Sequence, residues 1–182
     1  EIISENTNIV IDAKSGISGS GKNLSENNLF AEVSENFQPY KIEKHRHMGE
    51  INQEISRFFK STKITFIPHL LPISRGILST IYIDLKNMKK KFEDLKFFLQ
   101  SYYENDFFVE IYMDKRIPCI KSVRGTNNIA INLFQDYNKE KLIIISCIDN
   151  LIKGAAGQAI QNMNIMFDLD EKEGLMLSNL KP

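Results

Sequence analysis

Tryptophan is absent from this chain, and cysteine occurs only twice. Two thiols are too few for a disulfide scaffold, which points to a reducing, cytoplasmic setting. Cys119 and Cys147 both lie in apolar runs. They are expected to be buried packing residues, because reactive thiolates need electropositive, accessible surroundings. An excess of either charge is also missing: 23 Lys and Arg balance 23 Asp and Glu. General affinity for nucleic acid or an anionic membrane needs a basic surplus, so neither partner is expected. No apolar run approaches the roughly 20 residues of a membrane helix. Histidine is scarce, with three in the chain. His45 and His47 point apart if they lie on a helix, and no further His or Cys has matching spacing, so no metal site is expected. The first residue is Glu1 rather than Met, and a strand follows almost at once. The chain therefore reads as a fragment of a longer polypeptide.

What is present is an ordinary globular balance, 42% hydrophobic and 25% charged over 182 residues, enough for one sizeable core. A β run at Ile9–Ile11 leads into a glycine and serine loop. The spacing from His47 predicts a helix whose apolar stripe is Ile51, Ile55, Phe58 and Phe59. Strands follow at 63–71, where Pro68 and Pro72 suggest an edge or irregularity, and at 76–85. The basic run 88–91 reads as the start of a second helix carrying Phe92, Leu95, Phe98 and Leu99. Residues 107–113 read as a strand. Residues 128–135 and 141–148 read as an antiparallel pair around Asp136. A final helix over 151–167 is capped by Asp149 or Asn150. This order predicts an α+β domain with helices on one face of a mixed, mostly antiparallel sheet.

Two segments carry candidate chemistry. Gly16 to Asn23 is a near miss to a phosphate-binding loop. The final Ser or Thr is replaced by Asn23, and residues 23–28 are a poor helix. The loop still offers tight turns and backbone amides to some ligand, so a phosphate- or nucleotide-binding module using Gly16 to Lys22 stays open. The second segment is His45-Arg46-His47-Met48-Gly49-Glu50. His47 and Glu50 are three apart and share a helix face. An imidazole there suits general base work, with Glu50 able to orient it. Arg46 supplies a permanently charged fork for carboxylate or phosphate. A polar helix start whose histidines merely cap and hydrogen-bond fits the same residues.

Four segments together resemble the N-acetyl-gamma-glutamyl-phosphate reductase family. They are Ile11 to Gly19; His45-Arg46-His47 with Glu50-Ile51; Pro68-His69-Leu70 with Pro72 and Arg75-Gly76-Ile77; and Asp149-Asn150-Leu151 with Lys153-Gly154-Ala155-Ala156-Gly157-Gln158-Ala159 and Gln161-Asn162. Val123 to Asn127 adds a weaker match. They fall in the family's order over nearly the whole chain. Met48-Gly49 stands where many relatives carry a Pro before the Glu, which leaves His47 and Glu50 in register.

The resemblance implies that residues 1–182 are one catalytic and dimerisation domain. It would be similar to the C-terminal domain of glyceraldehyde-phosphate and aspartate-semialdehyde dehydrogenases. Residues 150–167 would form a helix docking on an absent N-terminal dinucleotide-binding domain. The implied reaction is NADPH-dependent reduction of an acyl phosphate to a semialdehyde, in arginine biosynthesis, through a thioester on a Cys that this chain lacks. The isolated chain would then be inactive. His47 would be the acid/base, supported by Glu50, with His45, Arg46 and Tyr40 as substrate contacts. Ser15, Gly16, Ser18, Gly19 and Asn162 would flank NADP(H), most of it held by the absent domain. Relatives pair through the sheet, so a homo-oligomer is implied. A sister reductase acting on an aminoadipyl-type acyl phosphate is the nearest alternative within the class. A non-catalytic dimerisation domain is the remaining alternative. His69, between Pro68 and Leu70, reads as a structural histidine.

Overall fold

The computed structural model describes residues 2–4, 6–21, 26 and 29–179. The polar stretch 23–28 and Lys22 of the glycine loop therefore lie outside the described residues, Glu26 excepted. Strand β1 (Asn8–Gly16) alternates, burying Ile9 and Ala13. A 3₁₀ turn, Ile17–Ser20, follows it. The region 29–40 contains both a short helix, α1 (Phe30–Val33), and a two-residue strand, β2 (Gln38–Pro39). Then come α2 (His47–Ser56), β3 (Lys63–Leu71), β4 (Ile77–Asp84), α3 (Phe92–Tyr102) and β5 (Val109–Ile111). The chain continues through α4 (Ile120–Val123), β6 (Ile129–Gln135) and β7 (Lys141–Ile148). A π-helical turn, Ile152–Ala156, runs directly into α5 (Gly157–Met166).

All seven strands join one sheet in the order β2-β3-β1-β4-β7-β6-β5. β1 with β3 and β5 with β6 are parallel. The other pairings are antiparallel, so the sheet is mixed and mostly antiparallel, as its sequence order suggested. The β6–β7 hairpin turns at Asp136, whose Oδ1 accepts the N–H groups of Glu140 at 2.8 Å and Lys141 at 2.7 Å.

The prolines do not make β3 an edge: it lies inside the sheet, between β2 and β1. Tyr40 N–H donates to Pro68 O at 3.0 Å. The returning bond would need an N–H that proline lacks, and β2 stops there. The penalty falls on the two-residue edge strand, while β3 pairs with β1 along its whole length.

The register puts Ile9, Ile83 and Leu142 in one row and Ile11, Ile81, Ile144 and Leu133 in the next, on the same face. Ile55 of α2 and Phe92, Leu95 and Leu99 of α3 pack onto these rows. The predicted stripe of α2 is cut short. The helix ends at Ser56, and Phe58 is 73% exposed beyond it. The basic run 88–91 precedes α3 rather than starting it. Glu93 and Asp94 occupy the first turn, where carboxylates suit the positive end of the helix dipole and lysines do not.

On the opposite face, α4 covers only one end, with Val123 and Tyr112 packed on Ala130, Cys147 and Leu78. The row Val10, Tyr82, Ile143 and Phe134 crosses four strands beside it. All four side chains are only half-buried. Among the described residues, no helix is long and apolar enough to cross a membrane.

Candidate active site

One end of the sheet gathers the C-termini of β1, β3 and β7 and the N-terminus of β4. There the loop after β1 is pressed onto residues 73–76. Gly16, Ile17 and Ser18 donate their N–H groups to Gly76 O, Ile73 O and Ser74 O at 2.8, 3.0 and 3.2 Å. A Cβ on Gly16 would lie 2.9 Å from Arg75 N, Ile73 O and Ser74 O, so only glycine fits this approach. The expected set of open amides is thus largely spent inside the protein. Gly16, Ile17 and Ser18 cannot cradle a phosphate with these amides, which weakens the nucleotide-module alternative.

A buried polar knot holds the same end together. Asp149 is fully buried. Its carboxylate accepts from Gly125 N at 2.7 Å, Leu151 N at 2.9 Å, Ile152 N at 3.0 Å and Arg75 Nη2 at 3.0 Å. It therefore caps the final helix and also ties down two other segments. Burial pushes its carboxyl up, but the three N–H groups and the guanidinium outweigh that and hold it below the ordinary range. Beside it, Asn150 accepts from Gly76 N at 2.7 Å and donates to Ser18 Oγ at 2.9 Å. Reading the sequence for caps found Asp149 but not Arg75, Gly125 or Ser18. Their signal was that Ile11 to Gly19, Arg75-Gly76 and, more weakly, Val123 to Asn127 match the family's motifs.

The histidine segment forms a second group, on the core face of β3. His45 is 8% exposed. Its ring centroid lies 5.1 Å from Phe66, 5.5 Å from Tyr40 and 4.8 Å from His47. His47 N–H donates to His45 Nδ1 at 3.2 Å. That bond needs a lone pair on Nδ1, which a doubly protonated ring lacks. Burial pushes the His45 pKa down, and the neighbouring His47, Arg46 and Lys41 push the same way. His45 is thus a neutral pivot that seats the first turn of α2. His47, Arg46 and Glu50 are exposed on that turn. Glu50 shares it without a hydrogen bond to His47. Tyr40 is half-buried, and its phenol is raised by burial against the opposing pull of Arg46.

The two groups are neighbours through the sheet. Tyr40 bonds Pro68, which stands opposite Ala13, two residues before Ser15. Asn162 is not part of either group. It is exposed on α5, where its Oδ1 accepts from Gln158 Nε2 at 3.0 Å. Gly157 faces inward, where a Cβ would collide with Asn127 Oδ1 and with Ile152 O. Outward, α5 shows Ala159, Ile160 and Met163, with Phe167 just past its end, all exposed.

Cys147 is buried as expected, and burial pushes its thiol up to about 12. Cys119 departs from expectation and is exposed. Pro118 fills the core position instead, and Cys119 caps α4 through its carbonyl, which accepts Ser122 N–H at 3.0 Å and Ser122 Oγ–H at 2.7 Å. His69 packs against Phe37 at a tilt, with centroids 5.0 Å apart. Its Nδ1 is 3.0 Å from Asp12 Oδ1, off the line of a hydrogen bond. Lys14 Nζ holds the other oxygen of Asp12 at 2.7 Å.

A mixed sheet of this order, with a histidine-led helix on one face, is the dimerisation domain of a semialdehyde dehydrogenase. The family model of that description matches residues 1–150, and the chain belongs to this family. Among its relatives is an N-acetyl-gamma-glutamyl-phosphate reductase of Caldicellulosiruptor bescii, 49% identical over 175 residues, 95% of this chain and 50% of that protein. The reductase of the same name from Brachyspira hyodysenteriae is 47% identical over 168 residues, 92% of this chain and 48% of that protein. The chain spans about half the length of the curated relatives it matches. Solved structures share the fold. Aspartate semialdehyde dehydrogenase II from Vibrio cholerae superposes with a TM-score of 0.67 at 13% identity, over 91% of this chain and 56% of that one. A probable aspartate-semialdehyde dehydrogenase from Pseudomonas aeruginosa gives 0.67 at 9% identity with the same coverage.

Proposed function

We propose that this chain is the C-terminal half of an NADPH-dependent N-acetyl-gamma-glutamyl-phosphate reductase and supplies its acid/base and substrate-contact residues. The observation that carries this reading is the first turn of α2. An exposed imidazole, His47, is fixed by a buried neutral one, His45, in a chain half as long as the reductases it matches.

The residues present fit only the rim of a nicotinamide site. Gly19 carries no side chain, Ser18 is half-buried, and the spent amides of Gly16 to Ser18 offer no cradle for phosphates. Ser15, Gly16, Ser18 and Gly19 would flank the nicotinamide end, Asn162 would stand further out, and the N-terminal half would hold the rest. NADPH, when bound, supplies the hydride.

The chain's own part is proton handling and anchoring. A Cys thiol of the N-terminal half gives its proton to His47, and the thiolate attacks the acyl carbonyl and expels phosphate. After reduction of the thioester, His47 protonates the tetrahedral oxygen. It then takes that proton back as the C–S bond breaks and the semialdehyde leaves. Glu50 supports the charged imidazolium. Arg46 and Tyr40 contact the substrate's carboxylate or phosphate, with His45 behind them.

The outward apolar strip of α5 would dock on the N-terminal half. The second copy would cover the half-buried row Val10, Tyr82, Ile143 and Phe134, since domains that bear this family's name dimerise. Changing Ile143→Asp is expected to turn a dimer into monomers by sedimentation velocity with an unchanged circular dichroism spectrum. A persistent dimer would place the interface elsewhere.

The reaction is tested with the intact polypeptide and the isolated chain side by side. Reduction of NADP⁺ is followed with N-acetylglutamate semialdehyde and inorganic phosphate. Activity confined to the intact protein supports the reading. A folded, intact protein active only on the aminoadipyl homologue would move the assignment to the sister reductase.

A further inference from the structure

Helix α3 has two sides, and the fold uses one of them. Phe92, Leu95 and Leu99 pack onto the sheet. The outward side carries aromatic rings among its charges, where a solvated helix face is polar. Phe97 is 67% exposed and Tyr102 is 68% exposed. Tyr102 stacks on Phe98 with centroids 6.2 Å apart. Lys90 Nζ lies 5.2 Å from the centre of the Phe98 ring. The result is an aromatic ridge with charge at each end. Lys90 and Lys91 stand just before the helix, Glu104 and Asp106 just after it, and all four are exposed. Among the described residues, the Glu104 carboxylate has no partner.

A basic end, an apolar middle and an acidic end complement a second copy of themselves turned end for end. Lys90 is seven residues before Phe97, and Glu104 is seven after it. Antiparallel pairing about Phe97 therefore sets Lys90 against the partner subunit's Glu104, and does so twice. Glu93 and Asp94 then fall opposite Ser101 and Gln100, so no like charges meet along the helix. We infer that α3 is a self-association surface that pairs antiparallel with the α3 of a second copy, Phe97 on Phe97 at the axis and Lys90 with Glu104 at both ends. Such a contact is isologous. One side of an 11-residue helix covers less than the roughly 800 Å² per partner of a stable interface, so the contact is weak alone. It lies on the helix-covered face of the sheet, away from the row Val10, Tyr82, Ile143 and Phe134. The sheet pairing proposed above leaves it free, and it joins sheet-paired dimers to one another.

Sedimentation velocity of the intact polypeptide over a range of concentrations reads the contact. The wild type is expected to gain mass beyond the dimer as concentration rises. Phe97→Asp is expected to abolish that gain with an unchanged circular dichroism spectrum. Self-association sensitive to Phe97→Asp is the signal, whatever Ile143→Asp does to the sheet pairing. Lys90→Glu and Glu104→Lys are each expected to weaken the association by about three- to tenfold, since each disrupts a surface ion pair that occurs twice in the contact. The double variant K90E/E104K rebuilds both pairs with their signs exchanged and is expected to restore the association. Neither a damaged fold nor an altered net charge produces such a rescue. Should Phe97→Asp fail to fold, the charge exchange decides. No mass gain in the wild type at any concentration would overturn the inference and leave the ridge to a different protein. Association untouched by Phe97→Asp, or a double variant no better than either single one, would also overturn it. The readout is mass alone, so the reductase reading stands or falls separately.

Discussion

Replacing His47 with Ala in the intact protein is expected to lower kcat by about 10²- to 10⁴-fold, the usual share of a positioned acid/base, while the circular dichroism spectrum stays that of the wild type. The expectation follows from where the ring sits. His47 is exposed on the first turn of α2 and contributes nothing to the core, so its loss should spare folding. His45→Ala makes the necessary contrast. That ring is packed against Phe66 and Tyr40 and anchors the His47 N–H, so its loss should lower stability as well as rate. Equal turnover in H47A and wild type would remove His47 from the chemistry and leave the segment as a capped helix start.

The second large effect concerns stability. Asp149→Ala is expected to cost about 3–5 kcal/mol, because it leaves the buried Gly125 N–H, the part-buried Leu151 and Ile152 N–H groups and the Arg75 guanidinium without their acceptor. Urea unfolding of variant and wild type measures it. Asp149→Asn should cost less but should also change the pH dependence. In the folded protein this carboxyl is held below its ordinary range. As pH falls, the unfolded chain takes up the proton first. The stabilisation is complete above the ordinary Asp value of about 4. It is lost as pH drops through the lower, folded value. Asp149→Asn should flatten that acid-side slope. A cost below about 1 kcal/mol in D149A, with no change in slope, would show that the knot is dispensable.

The elements that the sequence revealed were those with a period. β1, β3, β4 and the β6–β7 hairpin alternate or run apolar, and α3 repeats at three and four, so each was legible from spacing alone. What stayed hidden was set by partners far along the chain. Nothing local in Lys63 to Leu71 says that a two-residue strand will cover its outer edge, and so Pro68 misled. Phe58 continued the helical spacing of Ile51 and Ile55, yet α2 stops two residues before it. Cys119 looked buried because its neighbours are apolar, but Pro118 took the core position. The candidate site was legible in its exposed half, His45 to Glu50, because catalytic residue types cluster in sequence there. Its buried half was legible only in Asp149 as a helix cap. Asp149, Asn150, Arg75 and Gly125 meet only because β7 lies between β4 and β6, and a single sequence carries no record of that contact.

That meeting has a consequence for how the protein is made. Gly76 and Asn150 are joined across 74 residues, and Asn150 and Ser18 across 132. β7 is the strand that sits between β4 and β6. A ribosome releases β1, β3 and β4 long before it reaches Ile148. Until then the inner edge of β4 has no neighbour, and the glycine loop has no Asn150 to hold it. The sheet closes from its centre only once β7 has emerged, which favours slow folding and an exposed strand edge in the interim. The histidine segment, by contrast, can settle on β3 early. The two halves of the site are therefore born at different times.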